Sequence, residues 1–271
     1  MTKSRAFLKW AGGKYKLADQ IAARLPDSET LVEPFVGAGS VFLNTQYRRY
    51  RLSDINPDLI GLYLTLKADP DAYIREARKW FVDVNNDKTT YYGIRSEFNQ
   101  THEQFGRAVL FLYLNRYGYN GLCRYNKSGG FNVPFGSYKK PYFPERELWF
   151  FAEKAQSAEF YCESYAESFA RAGSGDAVYC DPPYLPLSTT ANFTSYASGG
   201  FSLDDQALLA DCALDAAQQR GATVLISNHD TPLARKLYHA AELDQLKVTR
   251  SISQSASGRK KVDELFALYR P

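Results

Sequence analysis

Two patterns of apolar and polar positions alternate along this chain: short apolar runs that stop at turn residues, and longer stretches with helical spacing. The run Thr30-Leu31-Val32-Glu33-Pro34-Phe35 predicts a strand, and Gly37-Ala38-Gly39-Ser40 predicts a turn into an apolar helix start at Val41-Phe42-Leu43. Strand, glycine turn and helix in that order open a nucleotide-binding unit. A second strand is predicted from Tyr50 to Asp54, with a helix from about Asp58 to Lys67 after it. Later strands are expected at Ala158 to Glu163, Ala177 to Asp181, Thr223 to Ser227, Asp244 to Ile252 and Val262 to Tyr269. That makes a seven-stranded sheet, its last two strands an antiparallel hairpin at the edge.

Helical spacing fills the gaps. Ser202 and Asp205 have the spacing of a capping box, and Leu208, Leu209, Cys212, Ala213 and Ala216 recur on one face of a helix expected over Ser202 to Arg220. Thr231-Pro232 reads as an N-cap followed by proline at the first helical position. From about Pro57 to Pro144 the strand alternation stops, with helices expected at Tyr91 to Asn99 and Phe105 to Tyr117 and a glycine- and asparagine-rich stretch after them. Asn120-Gly121 is a hairpin-turn signal. The expectation is an α/β domain built from residues 1–56 and 145–271, with a helical insert over 57–144 that carries a hairpin near 118–138.

The bulk numbers add little, and the distribution of charge adds more. The 271 residues are 45% hydrophobic and 15% aromatic, which is a globular composition. No apolar run reaches the length of a membrane span and the N-terminus has no apolar signal core, so a cytoplasmic protein with no membrane partner is expected. Cys123, Cys162, Cys180 and Cys212 stand singly, which argues against a zinc ribbon or a disulfide framework, and no metal is expected. Net charge is only +3. Between Gly106 and Pro144, however, there is no Asp or Glu, while Arg107, Arg116, Arg124, Lys127, Lys139 and Lys140 all fall there. A second basic cluster, Arg250, Arg259, Lys260 and Lys261, flanks the polar run Ser253 to Gly258.

The most informative residues are Asp181-Pro182-Pro183-Tyr184, which follow the apolar strand Ala177 to Cys180. Open α/β sheets place their chemistry at such strand ends. Neither proline has an N–H, so the segment offers acceptors, the Asp181 carboxylate and the Pro182 carbonyl, with the Tyr184 ring beside them. Two acceptors and a stacking ring suit an exocyclic amine on a flat base; the plain alternative is a rigid strand-end turn with a surface tyrosine. Asn228-His229-Asp230 also follows a strand, and it reads mainly as structure.

Phe35-Val36-Gly37-Ala38-Gly39 lacks the third glycine of the dinucleotide fingerprint, and Asp54 lies fifteen residues past Gly39, where a carboxylate accepts from ribose hydroxyls. Trp10 and Lys14 bracket the Gly12-Gly13 turn. They match a cationic thioether with an amino-acid tail, the alternatives being core packing for Trp10 and solvated charge for Lys14.

Together these residues resemble the alpha group of amino-methylating DNA methyltransferases, whose order is FxGxG, recognition domain, DPPY. The resemblance extends from Phe7-Leu8-Lys9-Trp10-Ala11-Gly12-Gly13-Lys14 to Lys260-Lys261-Val262-Asp263-Glu264-Leu265. It implies a Rossmann-like seven-stranded methyltransferase sheet with an inserted helical DNA-recognition domain, S-adenosyl-L-methionine as cofactor, and adenine N6 within GATC of double-stranded DNA as target. Asp181, Pro182 and Tyr184 are then the catalytic candidates. Trp10, Lys14, Phe35, Gly37, Gly39, Asp54 and Asp181 are the cofactor candidates. Lys9, Tyr119, Asn120, Leu122, Arg124, Pro134, Tyr138, Lys139 and Lys140 are the DNA candidates. A monomer in solution is expected. Two other readings stay open at this point: a non-catalytic DNA-binding protein on a methyltransferase fold, and an amino-methyltransferase acting on RNA or protein.

Overall fold

The computed structural model describes residues 3–185, 200–248 and 262–271. Seven strands, β1 (Thr30–Glu33), β2 (Arg49–Asp54), β3 (Ala158–Cys162), β4 (Ala177–Cys180), β5 (Thr223–His229), β6 (Glu242–Val248) and β7 (Val262–Tyr269), form one sheet in the order β3-β2-β1-β4-β5-β7-β6. β1 pairs in parallel with β2 and β4, and β4 with β5, while β7 runs antiparallel to both β5 and β6. Every residue of β1 and β4 is buried; β4 is an unbroken apolar run, whereas β1 buries the polar Thr30 and Glu33 at its two ends. The order reverses between β1 and β4, the switch point where open α/β sheets bind ligands. A strand is present at each expected place, although residues 249–252 of the sixth expected strand lie outside the described residues, and the last two form the expected antiparallel edge pair. Their connecting loop, with the second basic cluster, lies outside the described residues.

The helix expected after Gly39 is instead one 3-10 turn, Phe42–Asn44. Its apolar residues are buried as anticipated, but the Asn44 side chain donates back to the Ser40 carbonyl (2.8 Å) and the Thr45 hydroxyl to the Val41 carbonyl (2.9 Å). Those side chains take acceptors that a continuing helix would use, and the backbone becomes extended at Thr45.

The chain divides into two compact units. The first holds Met1–Ala22, Val36–Gln46 and Asp54–Cys162, with helices α1 (Ala18–Ala22), α2 (Pro57–Ala68), α3 (Pro70–Arg78), α4 (Lys88–Gln100), α5 (Gln104–Tyr117) and α6 (Glu145–Lys154). The Asn56 side chain caps α2 by accepting from the Asp58 and Leu59 amides. The core of this unit is aromatic. Phe7, Tyr63 and Phe160 pack on Phe151, and Phe98, Phe111 and Phe131 on one another. Such pairs add about 0.5–1.5 kcal/mol each beyond their buried area.

The second unit holds Ala23–Phe35, Tyr47–Ser53 and Glu163–Pro271, with helices α7 (Tyr165–Ala170), α8 (Leu203–Gln218) and α9 (Pro232–Leu237). Its core joins Val32, Val178, Cys180, Val224 and Ile226 of the sheet to Leu209, Ala213 and Ala216 of α8. The expected capping box opens α8: the Ser202 hydroxyl accepts from the Asp205 amide and the Asp205 carboxylate from the Ser202 amide. The Thr231 cap of α9 is also present. Among the described residues, no helix is long and apolar enough to cross a membrane.

Candidate functional site

In the second unit, Asp181 begins the loop at the carboxyl end of β4, and Pro34 and Phe35 leave the end of its parallel neighbour β1. The half-buried Phe35 ring stacks on Tyr165 (5.5 Å between centroids) and meets the edge of Phe201. The Tyr179 and Ser227 hydroxyls are 2.9 Å apart, and Ser227 donates to Asp181 Oδ1 at 3.4 Å.

The rest of the loop is tied down on several sides. Gln206 Nε2 donates to the Pro183 carbonyl (2.7 Å), and the Leu185 amide donates to Asn228 Oδ1 (3.0 Å). His229 Nδ1 lies 2.6 Å from the Leu185 carbonyl, which only accepts, so that nitrogen carries the proton. The Tyr184 hydroxyl donates to the buried Glu264 carboxylate, and its ring meets His229 edge-on at 4.8 Å. Burial, with the Asp181 and Glu264 charges nearby, holds the Tyr184 phenol well above its ordinary pKa, so it remains a donor. Among the described residues nothing donates to the Pro182 carbonyl. Asn228-His229-Asp230 is therefore structural: the first two hold the loop, and Asp230 forms a two-pronged ion pair with Arg235. Cys180 is fully buried and burial pushes its thiol well up, which removes it as a nucleophile.

In the first unit, Trp10, Gly37 and Asp54 come together. A Cβ on Gly37 would lie 2.9 Å from Trp10 Nε1, and the residue has φ +46°, so only glycine fits against the indole. Asp54 Oδ2 accepts from the Gly37 amide (3.1 Å) and Oδ1 from the Asn56 amide (3.0 Å). Burial raises the Asp54 pKa, opposed by the Asn56, Gly37 and Ile55 amides. Gly39 is buried beside Phe42 and Phe151. Lys14 is only 7% exposed and donates to the Gly12 carbonyl (2.9 Å), so solvated charge is not its state.

The DNA candidates lie in the same unit. Lys9 is fixed by Asn115, which bonds both its amide (2.9 Å) and its carbonyl (2.7 Å). Its ammonium donates to the Arg116 carbonyl (3.0 Å) and sits 3.6 Å from the centre of the Tyr138 ring. Burial, then the Arg116 charge, pushes its pKa down to about 8. The Tyr138 hydroxyl accepts from the Asn120 amide (2.9 Å). Tyr119, Asn120, Arg124, Pro134, Lys139 and Lys140 are exposed, and Leu122 is half-buried. Arg124 bonds the Asn132 side chain and carbonyl.

Asn120-Gly121 does form a turn with positive φ at both residues and a Leu122 amide to Tyr119 carbonyl bond (3.1 Å), but the chain does not reverse there. Gly118 bridges Phe135 and Tyr125 bridges Phe131, so seven steps on one arm face four on the other. The Asn120-Gly121 turn takes up the three extra residues as a bulge. Reversal occurs at Asn126 to Gly130, where Asn126 Oδ1 accepts from the Ser128 and Gly130 amides. Arg107, one of the six basic residues of the acid-free segment, is spent on the buried Asp58 carboxylate.

Sequence reading missed Gln206, although a signal exists: it is a polar residue in the stripe of Leu209, Ala210, Ala213 and Ala217 on α8, and it is fully buried. Among the described residues, no group of three His, Cys, Asp or Glu side chains is placed to hold a metal.

A mostly parallel seven-stranded sheet, with acceptor residues at the strand end beside its switch point, defines a Rossmann-like methyltransferase fold. Residues 10–252 match the family described as D12 class N6 adenine-specific DNA methyltransferase, and the chain belongs to that family. It is 64% identical to a DNA adenine methylase of Vibrio cholerae (serotype O1, strain O395) over 271 residues, covering all of this chain and 98% of that one. The identity is 62% to a DNA adenine methylase of Escherichia coli (strain K12), over all of this chain and 97% of that one. It is 57% to one of Serratia marcescens, over the whole of both. The chain is thus an adenine-specific DNA methyltransferase, acting on adenine N6.

Proposed function

We propose that this chain transfers a methyl group from S-adenosyl-L-methionine to N6 of the adenine in GATC of double-stranded DNA, on a base rotated out of the duplex. The observation that carries the chemistry is the acceptor pair at the end of β4, the Asp181 carboxylate and a Pro182 carbonyl to which no described residue donates. Adenine N6 is a poor nucleophile because its lone pair is delocalised into the ring. Asp181 and Pro182 accept hydrogen bonds from its two hydrogens, favour a more tetrahedral nitrogen and aim the lone pair, and the methylated nitrogen then releases one proton to water. Orienting a reacting pair in this way is worth roughly 7–11 kcal/mol in the best intramolecular cases. Tyr184 stacks on the base, recovering about 1–3 kcal/mol of the few kcal/mol that extrusion costs. Its ring is already held by Glu264 and His229.

The first unit fits the cofactor. Asp54 offers a buried carboxylate to ribose hydroxyls, Lys14 a buried ammonium to an amino-acid carboxylate, and Trp10 against Gly37 an apolar wall. The single 3-10 turn after Gly39 lacks the helix dipole that phosphate sites use, which favours a ligand without phosphate. The resemblance also assigns Phe35 and Asp181 to the cofactor. When bound, S-adenosyl-L-methionine supplies an electrophilic methyl on a sulfonium that leaves as a neutral thioether.

Residues 57–144 are the DNA-recognition segment in this reading. Lys139 and Lys140 neutralise phosphate. Lys9, Tyr119, Asn120, Leu122, Arg124, Pro134 and Tyr138 contact the site, with Arg124 suited to guanine O6 and N7. The GATC assignment rests on the resemblance across both ends of the chain. Incubation with tritiated S-adenosyl-L-methionine and two duplexes, one with GATC and one with that site scrambled, tests the reaction, the cofactor and the site together. Label confined to the GATC adenine is expected. Label in both duplexes would remove the site assignment, and label in neither would remove the cofactor.

A further inference from the structure

We infer that Gln206 is a positioning residue for methyl transfer: with Asn228 and Tyr238 it forms a buried clamp that holds the Pro183 carbonyl and so leaves the neighbouring Pro182 carbonyl to the substrate amine. This rests on the reading of Asp181 and Pro182 as the amine acceptors.

Gln206, Asn228 and Tyr238 are each fully buried, so every polar atom among them needs a partner. Gln206 Nε2 donates to the Pro183 carbonyl at 2.7 Å. Gln206 Oε1 accepts from the Tyr238 hydroxyl (2.7 Å) and from Asn228 Nδ2 (3.3 Å). Asn228 Nδ2 also donates to the Tyr238 oxygen (3.1 Å), while Asn228 Oδ1 accepts from the Leu185 and His229 amides (3.0 and 2.8 Å). Both amide orientations follow from these donors, since reversing either would face donor against donor.

The clamp occupies the Pro183 carbonyl, and His229 occupies that of Leu185. A peptide segment has few rotational states when alternate carbonyls are tied, and two prolines remove φ freedom as well. Pro182 is left as a presented acceptor beside Asp181. Gln206 touches neither substrate nor cofactor; it acts through the Pro183 peptide. Its own place is set by the capping box one turn earlier, through the Gln206 amide to Ser202 carbonyl bond at 3.1 Å.

The test compares Gln206→Met, which keeps length and volume but removes the donor, with Tyr238→Phe, which keeps the ring and removes one anchor of Gln206. Single-turnover and steady-state methylation of a GATC duplex are measured well below each variant's melting temperature, with Asp181→Ala as a control. For Gln206→Met the expected result is a fall in kcat on the order of 10²-fold, the effect of misplacing a reacting group by about 1 Å, with both KM values nearly unchanged. For Tyr238→Phe a fall of about tenfold with the same split is expected, one tier weaker because a single anchor is lost. Wild-type kcat in both variants, with only the melting temperature lowered, would make the clamp merely structural and overturn the inference. Should Gln206→Met fail to fold, Tyr238→Phe decides alone. Methyl transfer surviving in Asp181→Ala would overturn the acceptor pair and the inference with it. An inactive Asp181→Ala beside a fully active Gln206→Met would overturn the inference only.

Discussion

At the scale of single residues, position in the fold changes what a side chain is. Lys9 in the sequence is one of several lysines near a basic end. In the structure its ammonium lies over the Tyr138 ring, next to Arg116, and burial pushes its pKa down to about 8. If Lys9 meets DNA as a cation, affinity falls as pH rises past about 8, because the free protein then holds the neutral amine and must take up a proton to bind. Lys9→Arg keeps its charge throughout this range and flattens the profile. Fluorescence anisotropy with a GATC duplex at fixed ionic strength, from pH 7 to pH 9, checks this; parallel profiles would remove Lys9 from the contact. The same neighbourhood explains Gly121, where a Cβ would lie 2.1 Å from Lys9 Cβ. The Asn-Gly pair signalled a turn in the sequence, but not the side chain that the glycine makes room for.

Between elements, the same cation has different meanings according to its partner. Arg107 on α5 grips Asp58 in the first turn of α2 through two nitrogens, and the Tyr125 hydroxyl donates to the same carboxylate at 2.5 Å. Asp58 is 7% exposed, so removing the guanidinium strands a buried charge. Arg107→Met should destabilise the protein by roughly 3 kcal/mol, at the low end for a broken buried pair because the arginine is partly solvated. Urea denaturation measures this, and a loss below about 1 kcal/mol would place the pair among solvated surface bridges. The expected acid-free basic stretch was legible as a count. That one member is neutralised by an acid forty-nine positions earlier was not, because ion pairing follows helix packing and not sequence distance.

For the molecule as a whole, a net charge of +3 predicts almost nothing about DNA, whereas the exposed cations Arg124, Lys127, Lys139 and Lys140 predict a steep salt dependence. Each phosphate neutralised contributes about −0.9 to the slope of log affinity against log salt concentration. Replacing Lys139 and Lys140 together by alanine should therefore make that slope shallower by roughly 2, with little change in preference for GATC over scrambled duplex. An unchanged slope would show that these lysines do not neutralise phosphate.

By itself, the sequence determined the strands, the capped helices, the acceptor tetrapeptide at the end of β4 and the acidic residue at the end of β2. Each is encoded within a few consecutive residues: buried parallel strands carry short runs centred on apolar residues, caps need specific side chains at specific offsets, and prolines restrict their own backbone. The tertiary structure alone decided that the segment after Gly39 stops at one turn, that the hairpin reverses at Asn126 to Gly130 with Asn120-Gly121 as a bulge, and that Arg107 is committed to Asp58. It also decided that Gln206, held by Asn228 and Tyr238, donates to the Pro183 carbonyl. Those outcomes depend on hydrogen bonds and charges between groups tens of residues apart, whose pairing only the folded chain can set.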